Sequence, residues 1–251
     1  MCVRVKKLSA VVSVFLLLLV QITPAFAAET DDSDAEYELA VAAIMRNYQN
    51  DPEGTVRRLA ELDTELVGEP TVEVHYAETE NAARGTSPTD YTLTVYAFKR
   101  GNTSNYRLQW ALECERTEIL PGALDFVSIE WDTAHATYYS SSGDSTYSTV
   151  RGRSTGIVLF NLEDDKLKAG DSAIGTIQVT PIVAGTMEYG SKFTHTYTAT
   201  ETTSTASHQF VVGITDPDSL NLSYTYTYTV TTNEVTRQWE LWQDNAVTMH
   251  L

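Results

Sequence analysis

The stretch SIEWDTAH, Ser128 to His135, holds the residues best spaced for chemistry. Glu130 and Asp132 lie two apart, and residues two apart in a strand share a face. Their Cα atoms would then stand about 6.6 Å apart, at a rise of roughly 3.3 Å per residue. Paired carboxylates at that order of separation are what cleavage of a glycosidic bond requires, one as nucleophile or base and the other as proton donor. A solvated strand face has the same composition: with Ile129 and Trp131 turned inward, Glu130 and Asp132 meet water.

The same stretch resembles the E-x-D-x-x-E strand of jelly-roll endoglucanases of the laminarinase type. The resemblance spans six positions and implies Glu130 as nucleophile and Asp132 as its support. The second Glu of that pattern, the proton donor, is replaced here by His135. No G-x-S-x-G elbow, H-E-x-x-H, P-loop or G-x-G-x-x-G occurs. The five histidines, His75, His135, His195, His208 and His250, form no metal-ligand pattern. The expectation is therefore a non-enzymatic protein with no metal and no cofactor. A glycan-active hydrolase using Glu130 and Asp132 is the alternative. DSDAE near the start, EDD at 163–165 and TDPDS at 215–219 are turn sequences that would take calcium weakly at most.

Binding residues are sought among the aromatics, because a flat apolar ring stacks on sugars and suits protein interfaces. The candidates are Tyr138, Tyr139, Tyr147, Trp239 and Trp242. Neighbouring strand residues face opposite ways, so one of Tyr138 and Tyr139 is expected outward, and one of Trp239 and Trp242. Filling a core and cross-strand pairs is the competing role for all five.

A second stretch, LSYTYTYTVTT from Leu222 to Thr232, alternates aromatic with threonine. With KFTHTYTAT (Lys192 to Thr200) it looks similar to the Ser/Thr-rich hairpins of secreted β-pore toxins of the aerolysin kind, and a β-pore former is a further alternative. The plainer expectation is a half-wet strand in which Leu220, Leu222, Tyr224, Tyr226, Tyr228 and Val230 form an inner row and the threonines face water.

The elements that must position these residues change period near Thr71. Before it, Tyr37, Val41, Ile44, Met45 and Tyr48 recur at helical spacing behind a Ser33–Glu36 capping box. Val56, Leu59, Leu62 and Leu66 predict a second helix capped by Thr55. Residues 35–67 thus read as a short helical pair, a lid or strut on the body. From 71 to 251, strand-like runs follow one another with polar turns and no helical pattern between them, which predicts an all-β, antiparallel β-sandwich, Ig-like or jelly-roll-like. Two small sandwiches split near 120–123 are the other arrangement. In TGIVLFNL (Thr155 to Leu162), Ile157, Val158, Leu159, Phe160 and Leu162 put apolar residues on both faces, predicting a central strand covered on both sides. In YRLQWALECER, Leu108, Trp110, Leu112 and Cys114 share one parity, with Arg107, Gln109, Glu113 and Glu115 on the other, so Cys114 is expected inside and inert.

Residues 1–27 have the anatomy of a secretory signal peptide: the basic Arg4, Lys6 and Lys7, the uncharged run Leu8 to Val20, and a small-x-small site at Ala25 to Ala27. Residues 28–34 follow as an acidic leader, expected to be disordered. The expected product is secreted and extracellular, with no transmembrane segment after cleavage. Cys2 would leave with the signal, so no internal disulfide is expected. The chain of 251 residues has a net charge of −17. Such a surface repels nucleic acid and anionic membranes. The expected partner is an extracellular glycan or protein, met through a sheet face or turn cluster.

Overall fold

The structure, a computed structural model, describes residues 32–70, 75–78, 88–117, 125–163, 166–216 and 219–251. The expected signal peptide, most of the acidic leader and the EDD turn beyond Glu163 lie outside the described residues. Two helices come first, α1 (Asp32–Met45) and α2 (Pro52–Glu61). Eleven strands follow: β1 (Thr64–Val67), β2 (His75–Glu78), β3 (Tyr91–Arg100), β4 (Tyr106–Cys114), β5 (Asp125–Trp131), β6 (Ala136–Gly143), β7 (Ser148–Ser154), β8 (Ile157–Leu162), β9 (Ser172–Pro181), β10 (Gly185–Asp216) and β11 (Ser219–Met249). They form two antiparallel sheets, ordered β1-β3-β4-β9-β6 and β2-β11-β10-β5-β8-β7. The fold is an all-β sandwich with a small helical part. Each sheet combines strands from before and after 118–124, so there is one sandwich rather than two.

The core between the sheets is continuous and rich in rings, with Trp110, Phe160, Phe193 and Trp239 fully buried. Trp110 meets Phe160 edge-on, centroids 5.4 Å apart, over Gly175. A Cβ at Gly175 would stand 2.6 Å from Trp110 Cε2 and 2.7 Å from Phe160 Cε1. Only a glycine leaves room there for the indole.

The helices cover the outer face of the five-stranded sheet, giving three layers. Tyr37, Val41, Met45 and Leu59 pack on Tyr96, Phe98, Ala111 and Ile174, each large side chain contributing about 1.5–3 kcal/mol by leaving water. This placement corrects two expectations. The outward parity of β4 is not wet: Arg107, Gln109 and Ala111 are buried beneath α1, while Cys114 lies in the core as the alternation predicts. The strand covered on both faces is β4, not β8. In β8, Val158, Phe160 and Leu162 are buried while Ile157 and Leu159 are only partly so. It lies one strand from the edge of the sheet that the helices do not touch.

The α1 interface carries a polar network. The Glu38 carboxylate accepts from Arg107 Nη1 at 2.6 Å and from Ser142 Oγ at 2.8 Å. Gln109 Nε2 donates to Thr176 Oγ1 at 2.9 Å and to the Glu38 carbonyl at 3.2 Å, and the Tyr96 hydroxyl donates to Gln109 Oε1. Burial still pushes the Glu38 carboxyl above its ordinary range, opposed by the Ser142 hydroxyl and Arg107. Asp34, in the DSDAE stretch whose composition reads as a turn, is helical and ion-paired to Arg100 at 2.6 Å and Arg107 at 3.3 Å.

The helix boundaries also differ from the pattern. The helix α1 already contains Ser33. Asp51, not Thr55, caps α2, accepting the Gly54 N–H at 2.9 Å with Pro52 in the first turn. The apolar run to Leu66 is not helical throughout. Asp63 turns at φ 53, and Thr64–Val67 pairs with β3, so Leu62 and Leu66 pack from a turn and a strand while Val56 is exposed.

The strands β10 and β11 form one hairpin of 32 and 31 residues. KFTHTYTAT and the later HQFVVGI are one strand, not two. Near the sandwich β10 pairs with β5 over Tyr189–Thr194, and β11 pairs with β2 over Trp239–Trp242. Beyond those pairs, among the described residues, the two strands pair only with each other. From Thr198 to Asp216 this ribbon runs about 60 Å at roughly 3.3 Å per residue. Its register places Val230 opposite Ser204 and Leu220 opposite Ile214. Val230 is 51% exposed, so the inner row does not reach it: among the described residues no second sheet covers it. The side chains of 219–228, the remainder of that row, lie outside the described set.

Candidate functional site

The outer face of the six-stranded sheet carries a groove of about 1220 Å³. It is built on three strands that the sequence separates widely. Gly190 of β10 sits between Glu130 of β5 and Asp244 of β11, and Lys192 sits between Ser128 and Trp242. A Cβ at Gly190 would come within 2.5 Å of Asp244 Oδ1; the bare backbone lets that carboxylate lie across the sheet. Trp242 is partly exposed on the groove wall, and Lys192 Nζ stands 3.6 Å from Glu240 Oε1. The carboxylates of Glu130, Asp132, Glu188, Glu240 and Asp244 line the groove with Lys192, so its field repels anions.

The expected carboxylate pair enters this groove but not as a pair on one strand face. The strand β5 ends at Trp131, and Asp132 organises the turn that follows. Asp132 Oδ1 accepts the Ala134 N–H at 2.8 Å, and Oδ2 shares a hydrogen bond with His135 Nδ1 at 2.9 Å. The Ala134 N–H, then the His135 ring, hold the Asp132 carboxyl below its ordinary range. Asp132 is therefore a turn-forming anion and offers no proton near neutral pH. Glu130 is exposed, with Ser128 Oγ at 3.5 Å from Oε1.

The five aromatic candidates separate. Trp242 lines the groove. Tyr138 lines a smaller adjoining cleft of about 390 Å³ that shares Trp131, Thr133, Thr155 and Gly156 with it. The Arg153 guanidinium stands 4.3 Å over the Tyr138 ring, and the Tyr138 hydroxyl bonds Ser141 Oγ at 2.9 Å. Trp239 is 1% exposed in the core, which removes it from any binding surface. Tyr147 packs against the core and donates its hydroxyl to Asp171 Oδ2 at 3.0 Å. Tyr139 is 62% exposed, but as the extra residue of a bulge in the β6–β9 ladder. It stands on the other sheet from Trp242.

Sequence reasoning missed Gly190, Lys192 and Asp244. The parity of Gln238, Glu240, Trp242 and Asp244 was a readable signal for one wet face of β11; that β5 and β10 supply the rest of the groove was not. Among the described residues no three His, Cys, Asp or Glu side chains are arranged to hold a metal ion, and no helix is long and apolar enough to cross a membrane.

No protein-family model matches this chain, and no curated protein matches it significantly. Among solved structures, a chain of the crystal structure of a CaDoc0917–CaCohA2 complex at pH 5.5 is similar at 12% identity and a TM-score of 0.27. The likeness covers 36% of this chain and 72% of that one. The fold assignment rests on the two sheets described above.

Proposed function

We propose that this chain is a secreted, non-enzymatic recognition protein whose outer-sheet groove takes an extracellular glycan. One observation carries the reading: Trp242 is partly exposed on a groove wall beside the bare backbone of Gly190, with Glu240, Asp244 and Lys192 around it. An indole face stacks on the C–H face of a sugar ring. The flanking carboxylates, among them that of Asp244 lying over Gly190, accept hydrogen bonds from hydroxyls. The acidic lining favours neutral or amino sugars over sulfated or uronic ones. Secretion is supported by the basic, apolar and small-x-small segments of residues 1–27.

A hydrolytic reading of the same groove has less support, because Asp132 spends both oxygens on its own turn.

The test is a pull-down of the purified protein on insoluble neutral polysaccharides, cell walls and extracellular matrix. Saturable retention that drops at least tenfold in Trp242→Ala and survives in Tyr139→Ala is the expected result. Retention unchanged in Trp242→Ala, or no retention on any glycan, overturns it. Glycan turnover that disappears in Glu130→Gln would establish the hydrolase instead.

A further inference from the structure

The ribbon beyond the sandwich combines an unguarded edge, a strict alternation and a particular length. Each of its strands has one side that pairs with nothing else among the described residues. Such edges recruit further strands, and soluble proteins usually blunt them with charge, proline or bulges. Here, residues 202–215 and 219–233 contain no Asp, Glu, Lys, Arg or Pro, in a chain whose net charge is −17. The register irregularity in this ladder falls only at Ile214/Asp216, beside the turn.

Within that stretch the cross-strand pairs alternate in character. One set runs from Ser204–Val230 through Phe210–Tyr224 to Ile214–Leu220; its positions on β11 are Val, Tyr, Tyr, Tyr, Leu and Leu, and those on β10 are Ser, Ala, His, Phe, Val and Ile. The intervening set, from Thr203–Thr231 to Gly213–Asn221, is Ser, Thr, Gln, Asn and Gly, with Val211 as its apolar member. Directly opposed residues share a face and successive pairs change face, so the register puts the predominantly apolar positions, with Ser204 and His208 as their polar members, in one set and the hydroxyl-rich positions in the other. The apolar set spans eleven positions per strand, Ser204 to Ile214; a strand crossing a bilayer needs about 9–11.

We infer that this ribbon is a membrane-inserting hairpin: copies from several chains pair edge to edge into a closed β-barrel, with the tyrosine and aliphatic positions toward lipid and the threonine and serine positions toward a water-filled lumen. A lone two-stranded ribbon in hydrocarbon would leave its edges unsatisfied, so the barrel must be made by several copies, each adding two strands. Association in water alone would satisfy the edges but leave the row of apolar positions wet; a bilayer covers it. Asp216 at the tip then reaches the far headgroups, while the root of the hairpin stays in the sandwich.

The test uses the purified protein and dye-loaded phosphatidylcholine vesicles. In a background with Cys2→Ala and Cys114→Ala, single cysteines at 222 to 229 carry an environment-sensitive fluorophore. The expected result is dye release with SDS-resistant oligomers, and a lipid-dependent blue shift at 222, 224, 226 and 228 but not at 223, 225, 227 and 229. Tyr226→Lys abolishes release, whereas Thr227→Lys keeps release and turns ion selectivity toward anions. Both variants leave the thermal melt of the sandwich unchanged. Absence of release, a shift with no alternation, or oligomers that form without vesicles and show no lipid-dependent shift overturns the inference. Trp242→Ala leaves release intact, so failure of the glycan reading and failure of this one are told apart.

Discussion

Asp125 and His195 are hydrogen-bonded, Oδ2 to Nδ1 at 2.8 Å, where the long hairpin leaves the sandwich. Both are fully enclosed. The other oxygen of Asp125 accepts the Thr196 N–H at 2.6 Å, two residues past the last β5–β10 pair at Thr194. The carboxylate thus adds a side-chain bond to β10 just past the last β5–β10 backbone pair. The His195 ring lies 4.7 Å from Trp239 and stacks on Tyr197 at 6.1 Å between centroids, fixing both strands of the hairpin at its root.

Truncating Asp125 removes the buried carboxylate that bonds both the His195 ring and the Thr196 N–H. Asp125→Ala is expected to cost about 1–3 kcal/mol, read as a lower urea midpoint, with Asp125→Asn costing less because an amide still bonds Thr196. A midpoint unchanged in Asp125→Ala would show that the hairpin root is held by its rings alone.

Gly175 is the second sensitive position. Gly175→Ala drives a methyl into the Trp110–Phe160 contact and is expected to cost about 1–3 kcal/mol by overpacking, with the denaturant slope unchanged. Gly152, where an added Cβ meets nothing within 4 Å, is the control, and equal losses at both sites would refute the packing argument.

Glu38 makes the docking of α1 depend on pH. Its folded carboxyl sits above the ordinary range because burial disfavours the charge, so the folded state binds that proton more tightly than the unfolded state does. The stability this contributes is complete below the unfolded value of about 4.3 and is lost as pH rises through the raised folded value. Glu38→Gln cannot titrate, so its stability relative to the wild type should grow as pH rises from about 4 toward neutrality. Unfolding curves across that range decide it; a constant difference between the two proteins would contradict the assignment.

The strands were legible because alternation is local. Whatever sheet it joins, β4 must put Leu108, Trp110, Leu112 and Cys114 on one side. The identity of the opposite side was not legible, since Arg107 and Gln109 read as solvent-facing until a helix carrying Glu38 and Asp34 lies over them. Leu66 read as the end of an amphipathic helix because a four-residue strand is too short to establish its own period, and Asp63 at positive φ leaves no pattern signal.

The sequence by itself determined the class of fold and which residues of most strands turn inward, because side-chain parity depends only on the backbone period. Only the tertiary structure decided which wet faces become neighbours. Glu130 and Trp242 share a groove because β10 lies between β5 and β11, and that order depends on pairing between segments remote in the chain, Glu130 with Gly190 and Lys192 with Trp242. Tertiary structure also decided that two threonine-rich segments are parts of one long ribbon. Alternation alone reads the same for a strand packed in a sandwich and for one that extends past it.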